Sequence, residues 1–395
     1  VQTIDSYAFY YCKKLSDIKL GSKVNKIGKK AFCKTAVYND AVNNNKKAIY
    51  IGNYLINAFT DRTKGKFKVK NGTVLIADNA FSKASTDGKA KSTVTSVSIP
   101  DSVLTIGSEA LNDKKIKKIR LPKNLKQLSG TAFSNSYKKK NQVFKGGCYY
   151  IGAYLVGCDK YALKLKIRKG TTLIANGAIV NSLATKLVIP NGVKYISDEA
   201  IVGCQRMRSV EIPKSVKFIG DGNFVNSRHG VQSTCKNLTK ITVDKNNKKY
   251  SSKSGVLYNK AKTVLIAYPA GNKTKSFTVP SSVKAIKKNA FAFAPYLAQI
   301  KLNSKLEEIG ETAFTNCKKM KSITVPESVK KIGYCAFGRI YFSNEDSDGY
   351  SKIDGFTVYG KKGSAAEKFC KEIVFIRDYE SDSDGISLPL DFKEV

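Results

Sequence analysis

The sequence predicts an α/β repeat fold: a right-handed solenoid with a parallel sheet of about twelve short strands, protruding β-hairpin insertions and a C-terminal capping helix. A pattern, V-x-x-I-x-x-x-A-[FI], followed about ten residues later by I-x-[VIL]-P, returns along nearly the whole chain. It occurs as Val24, Ile27, Ala31 and Phe32, as Val283, Ile286, Ala290 and Phe291, and as Val329, Ile332, Ala336 and Phe337. Copies starting at residues 1 and 24, 103 and 125, 193 and 216, and 283, 306 and 329 lie 22 or 23 residues apart. A fixed period of this length describes a unit that buries its apolar face only against its neighbours. Within I-x-[VIL]-P, apolar residues occupy alternate positions, as half-buried strands require.

Each unit has two extended pieces. The inward pairs of the first are Ile18/Leu20, Phe67/Val69, Val97/Ile99, Ile119/Leu121, Leu165/Ile167 and Leu187/Ile189. They continue as Val210/Ile212, Ile241/Val243, Phe277/Val279, Ile300/Leu302, Ile323/Val325 and Phe356/Val358. The second piece is V-x-x-I, leading to a turn at A-F. The Ala is small where coils stack closely, and Phe32, Phe81, Phe133, Phe224, Phe291, Phe314 and Phe337 should each fill the interior of a coil.

Insertions account for the remaining length. Residues 48–81 and 148–179 copy each other, from A-I-Y-I-G-N-Y-L-I and C-Y-Y-I-G-A-Y-L-V onward, and 250–270 is a third of the kind. Each has two apolar runs around a Gly-rich or polar turn, which predicts hairpins at the solenoid edge. Polar insertions after Phe81, Phe133 and Phe224 predict loops. Ser364-Ala365-Ala366-Glu367 is a capping box before Phe369, Cys370 and Ile373, so a short helix should cover the last coil. The expected organisation is one solenoid over 1–376, a piece of a longer protein, and an acidic tail or linker over 377–395.

Charge is uneven. The chain has 69 Lys+Arg and 31 Asp+Glu, a net of +38. Residues 343–395 hold 12 acids and 7 bases, which leaves +43 on residues 1–342. Such a field attracts polyanions and anionic surfaces. Only eight of the bases are Arg, the residue suited to bidentate phosphate and base-edge contacts, so sequence-specific nucleic-acid readout is not expected. No run of 18 apolar residues exists, and no membrane span is expected.

Chemistry-bearing clusters are scarce. His229, the single histidine, sits in a polar insertion and cannot by itself build a His relay. Nine cysteines cannot all pair, and no C-x-x-C is present to hold zinc. Cys12, Cys204 and Cys317 each follow the Phe or Ile of the repeat by three residues and should be reduced core thiols. Cys148 and Cys158 bracket a hairpin and could close it. Asn344, Asp346 and Asp348, and Glu380, Asp382 and Asp384, have the spacing of half a calcium loop, but the first has Gly355 at the twelfth place and the second, with Asp391 there, begins with Glu and contains Pro389. They read as solvated acidic loops. No catalytic residue, metal or cofactor is assigned, and no enzyme is expected.

The full string V-x-x-I-x-x-x-A-F-x-x-C-x-x-[LM]-x-x-I-x-[IV]-P, clearest over Leu306–Pro326 and Val193–Pro213, resembles the BspA-like leucine-rich repeat family. The ending V-Y-G-K-K-G-S-A-A-E-K-F-C (358–370) resembles the ends of such proteins from gut-dwelling Gram-positive anaerobes. The resemblance covers about residues 1–376. It implies a secreted or cell-surface bacterial protein associated with adhesion to host matrix proteins, epithelium or other bacteria. The family has no shared catalytic residues or ligand motif, so no binding residue is carried over.

A binding candidate comes from the strands themselves. Residues flanking each inward pair point outward on one face. The first six strands carry eight bases at twelve such positions, the last six only Lys240 and Lys301. Lys66, Lys68, Lys118, Arg120, Lys164 and Lys166 are therefore the candidate site. The expected function is a monomeric adhesion module that binds host or bacterial macromolecules through this face. Its alternative is anchoring to anionic polymers such as teichoic acid or sulfated and acidic glycans.

Overall fold

The structure is a computed structural model. It describes residues 1–82, 91–224, 234–343, 347–372, 374–378, 385–387 and 389–395. It is dominated by short parallel strands in two columns, with helices at Ala36–Asn43, Asn135–Asn141 and Ala365–Cys370.

The V-x-x-I segments build the first column, here called the flank. Each supplies a two-residue strand ending in Ile or Leu, and these pair in parallel and in one register. Ile27 lies beside Ile4, Ile106 beside Ile76, Ile196 beside Ile174, and Ile309 beside Ile286. A period matched to one coil makes every position meet its own equivalent in the next coil. The turn that follows is bonded the same way: the N–H groups of Phe81, Phe291 and Phe314 donate to the carbonyls of Ala110, Ala313 and Ala336 at 2.8, 2.8 and 2.6 Å. The rings then stack, Tyr268 on Phe291 with centroids 4.9 Å apart and Phe291 on Phe314 at 4.7 Å. All seven predicted phenylalanines are buried.

Close approach of the coils also explains the glycine that often follows the flank Ile. A Cβ on Gly310 would lie 2.5 Å from the backbone N of Lys288 on the preceding coil, and Gly28, Gly107, Gly220 and Gly333 are equally confined. Over two of these glycines lies an aspartate. Asp78 Oδ1 accepts the N–H of Ser108 at 2.7 Å, and Asp198 Oδ1 accepts that of Asp221 at 2.9 Å. Burial nevertheless dominates for both, and pushes their carboxyls above the usual range.

The I-x-[VIL]-P segments build the second column, here called the face. It is divided into several sheets. Gly65–Lys68, Val94–Ser98 and Lys118–Arg120 form one sheet. Lys186–Val188, Ser209–Ile212 and Lys240–Val243 form another. Ser276–Thr278 pairs with Gln299–Lys301, and Ser322–Thr324 with Thr357–Gly360. Ile18/Leu20 and Leu165/Ile167 run outside any strand.

The hairpins cause much of this division. They do not simply protrude. In each, one strand is itself a rung of the flank: Tyr54–Ala58 pairs in parallel with Leu75–Ile76, Tyr154–Cys158 with Leu173–Ile174, and Val264–Ala267 with Ala285–Ile286. The antiparallel partner then begins a new segment of the flank sheet. Two hairpin turns also bond to the face: Lys166 N–H donates to Gly146 O at 2.8 Å and Ile241 N–H to Gly255 O at 2.9 Å. Those bonds take up backbone groups that would otherwise join consecutive face strands.

The chain's ends depart from expectation in detail. Cys204 and Cys317 are buried free thiols, but Cys12 is exposed: among the described residues its turn bonds only to the coil that follows, Tyr11 N–H to Cys33 O at 3.0 Å. In the helix Ala365–Cys370, Glu367 reaches back to the Gly363 N–H at 2.6 Å, while Ser364 makes no side-chain cap bond. Phe369 packs on Phe337 with ring centroids 4.5 Å apart. Within the segment expected as a tail, Asp391–Glu394 pairs in parallel with Thr357–Gly360, with Phe392 beside Val358. Apolar Leu390 and Phe392 interrupt the acidic composition there and provide the anchoring side chains.

Two measurements check this packing. Phe314→Ala removes one ring from a stacked column and should cost about 3–5 kcal/mol in denaturant unfolding. Asp198 holds its proton to higher pH in the folded chain than in the unfolded one. Its contribution to stability is therefore full below about pH 4 and is lost as pH rises through the raised folded value. Asp198→Asn should gain stability relative to the wild type between pH 4 and pH 7, read as the difference between two denaturation series.

Candidate binding face

The six candidate residues divide into two groups. In the first sheet of the face, Lys66, Ser96 and Lys118 form one row and Lys68, Ser98 and Arg120 another, with Phe67, Val97 and Ile119 between them. Strand neighbours lie about 4.8 Å apart, so the two charged columns are about 10 Å apart across the serines. Lys164 and Lys166 are also exposed and still alternate with buried Leu165 and Ile167. They are not in this sheet. The turn at Gly146 and Gly147, which have φ of 62° and 75°, packs against that segment instead, with Gly146 against Lys166 and Gly147 against Leu165. A Cβ on Gly146 would lie 2.4 Å from the Lys166 carbonyl oxygen, and one on Gly147 would be tight at 3.1 Å from Leu165.

The bases differ in how free they are. Arg120 donates through Nη1 to the Ile99 carbonyl at 2.5 Å and through Nη2 to Asp101 Oδ2 at 3.2 Å. Asp101 also accepts the Lys123 N–H at 3.0 Å. That bond first, and Arg120 second, hold its carboxyl below the usual range. Lys66, Lys68, Lys118, Lys164 and Lys166 have no ion-pair partner among the described residues. Lys68, Ser98, Asp101 and Arg120, with Val69, Asn71 and Pro100, line an open depression of about 310 Å³.

From Lys186 onward, several lysines have acidic partners. Lys186 pairs with Glu211 at 2.6 Å, Lys284 with Glu307 at 2.9 Å, Lys288 with Glu311 at 2.6 Å and Lys331 with Glu308 at 2.8 Å. Most of these pairs join successive coils. Each exposed pair adds only about 0–1 kcal/mol to stability.

Asp101 was not picked out from sequence, although an acid one coil before a base was the available signal. Cys235 was also missed. It keeps the C-x-x-L spacing to Leu238 after the polar insertion, and it is buried like Cys204 and Cys317. His229, Asn344, Asp346, Glu380, Asp382 and Asp384 lie outside the described residues. Among the described residues, no group of three His, Cys, Asp or Glu could hold a metal ion. Two sheltered hollows, beside Phe224 and beside Tyr341, hold about 10 and 20 Å³, room for no more than a water. No described helix is long and apolar enough to cross a membrane.

Stacked coils with in-register Ile, Ala and Phe columns define a strand-dominated protein of the leucine-rich-repeat class. The chain belongs to the BspA type leucine rich repeat family, whose region (6 copies) matches residues 1–88, 89–184, 172–263 and 266–345. Among solved structures it is similar to a leucine rich cell surface protein from Faecalibacterium prausnitzii, at 20% identity over 78% of this chain and 83% of that one, with a TM-score of 0.39. It is also similar to a leucine-rich repeat protein from Eubacterium ventriosum, at 20% identity over 71% of each chain, TM-score 0.32. The pneumococcal vaccine antigen PcpA matches at 15% identity over 80% of this chain and 91% of that one, TM-score 0.29. No curated protein matches the chain.

Asp101 restrains Arg120, so Asp101→Asn should free that guanidinium while keeping the bond to the Lys123 N–H. The variant should elute from a heparin column at higher salt than the wild type, and Lys118→Ser at lower salt.

Proposed function

We propose that the chain is a non-catalytic interaction module of the adhesion type. It is secreted or held at a bacterial cell surface, and as a monomer it binds host or bacterial macromolecules through the face column. One observation carries this reading: the face offers rows of outward side chains over a shallow depression, which suit a wide contact better than an enclosed small molecule. The name of the Faecalibacterium relative, a cell surface protein, agrees with it.

A second reading, anchoring to an anionic polymer, rests on the five unpaired lysines Lys66, Lys68, Lys118, Lys164 and Lys166. The two respond differently to salt. Binding to a polyanion falls steeply with salt, by about one unit of log–log slope for each basic contact, whereas shape-specific protein binding survives. Retention on immobilised teichoic acid should therefore decline between 50 mM and 200 mM salt, roughly following that slope. Replacing Lys66, Lys68, Lys118, Arg120, Lys164 and Lys166 by Ser should flatten the decline. Replacing six lysines of the insertions is the control. Equal losses from both sets would show that net charge alone matters.

A further inference from the structure

The first two hairpins are built alike, and one difference between them carries chemistry. In the first, Ala48 lies opposite Ala58; in the second, Cys148 lies opposite Cys158. One residue beyond each pair, an N–H donates across the strands: Phe59 to Lys47 O and Asp159 to Gly147 O, both at 2.9 Å. That pattern marks both pairs as non-hydrogen-bonded antiparallel pairs, with Cα atoms about 4.5 Å apart and side chains on the same side. A disulfide spans about 4.4–6.8 Å between Cα atoms, so the separation falls within reach without moving the strands. Two alanines fit this place in the sister hairpin, so packing alone does not demand sulfur there.

We propose that Cys148 and Cys158 are a disulfide site that clamps the base of the second hairpin. The bond forms by exchange with a small-molecule or protein disulfide while the chain folds. One cysteine thiolate attacks the donor disulfide and releases a thiol. The second cysteine then attacks the mixed disulfide and releases the other thiol. The Sγ–Sγ bond replaces the donor's S–S bond, two electrons pass to the donor, and the two cysteine protons end on its thiols.

The surroundings explain the timing. Cys148 is fully buried, beside the Tyr150 hydroxyl, and Cys158 is partly buried beside the Val180 backbone. Burial raises both thiols, Cys158 to about 12, so neither is a ready nucleophile once the coil has closed. Cys158 leads directly into the 159–166 segment. The bridge would therefore fix where Lys164 and Lys166 leave the hairpin. The inference is independent of what that face binds.

The test is to reduce and denature the whole chain, refold it in a mixture of oxidised and reduced glutathione, and alkylate it in denaturant. Both cysteines lie in the tryptic segment 146–160, which has no Lys or Arg between them. That peptide should appear unalkylated and two hydrogens lighter, with two fewer reactive thiols than the nine of the sequence. Adding the same glutathione mixture to protein already folded in reductant should give the product far more slowly. The double variant Cys148→Ala/Cys158→Ala should fold, as Ala48 and Ala58 allow, and lose those two thiols from the count without a new link. Full alkylation of segment 146–160 in refolded wild type would overturn the proposal. So would a bridge that uses either cysteine with another partner, Cys204 being the nearest rival. A bridge between Cys204 and Cys235, which lie beside each other, would do so if Cys148 and Cys158 stayed reduced.

Discussion

The distance between successive coils constrains everything else in this molecule. Parallel backbones bonded to each other lie about 4.8 Å apart, and the period of 22 or 23 residues brings each residue beside its own equivalent. Large residues are tolerated in such a column only if they stack, as Tyr268, Phe291 and Phe314 do. Where the backbones come closest even a methyl group is too much, which places Gly107, Gly220 and Gly310 directly after Ile106, Ile219 and Ile309. The asparagines serve the same spacing: Asn303 Nδ2 reaches the Pro280 and Val283 carbonyls of the preceding coil at 2.8 and 2.9 Å.

Surface charge follows from the same rule. Residues that repeat along a column repel if they are all lysine, and the chain answers this in two ways. Toward its C-terminal end, lysines face acids on the adjacent coil, as Lys284 faces Glu307 and Lys331 faces Glu308. On the first sheet of the face, Ser96 and Ser98 separate Lys66 from Lys118 and Lys68 from Arg120. Spacing lessens repulsion without cancelling charge, so that sheet keeps a positive field for a partner to meet. Arg120 is the exception, because Asp101 holds it.

Much of this was legible in the sequence. Strict recurrence of small and aromatic residues identified the buried Phe32, Phe291 and Phe337, and alternation placed Lys66, Lys68, Lys118 and Arg120 on one exposed face. The same alternation put Lys164 and Lys166 outward, but could not say that the Lys166 N–H bonds to Gly146 instead of a face strand. Cys12 shows a different shortfall. Its motif position is that of Cys204 and Cys317, yet it is exposed where they are buried, so the motif position alone does not set burial.

The sequence by itself determined the unit: its length, its buried columns, and the outward side chains of each strand. These are local properties, set by periodicity and side-chain size. The tertiary structure alone decided how the units join. It made one strand of each hairpin a rung of the flank, broke the face into several sheets, brought Asp391–Glu394 beside Thr357–Gly360, and set Cys148 opposite Cys158. These outcomes depend on which backbone groups remain unpaired once the coils are stacked. Hydrogen bonds between distant residues settle that, and no single repeat encodes it.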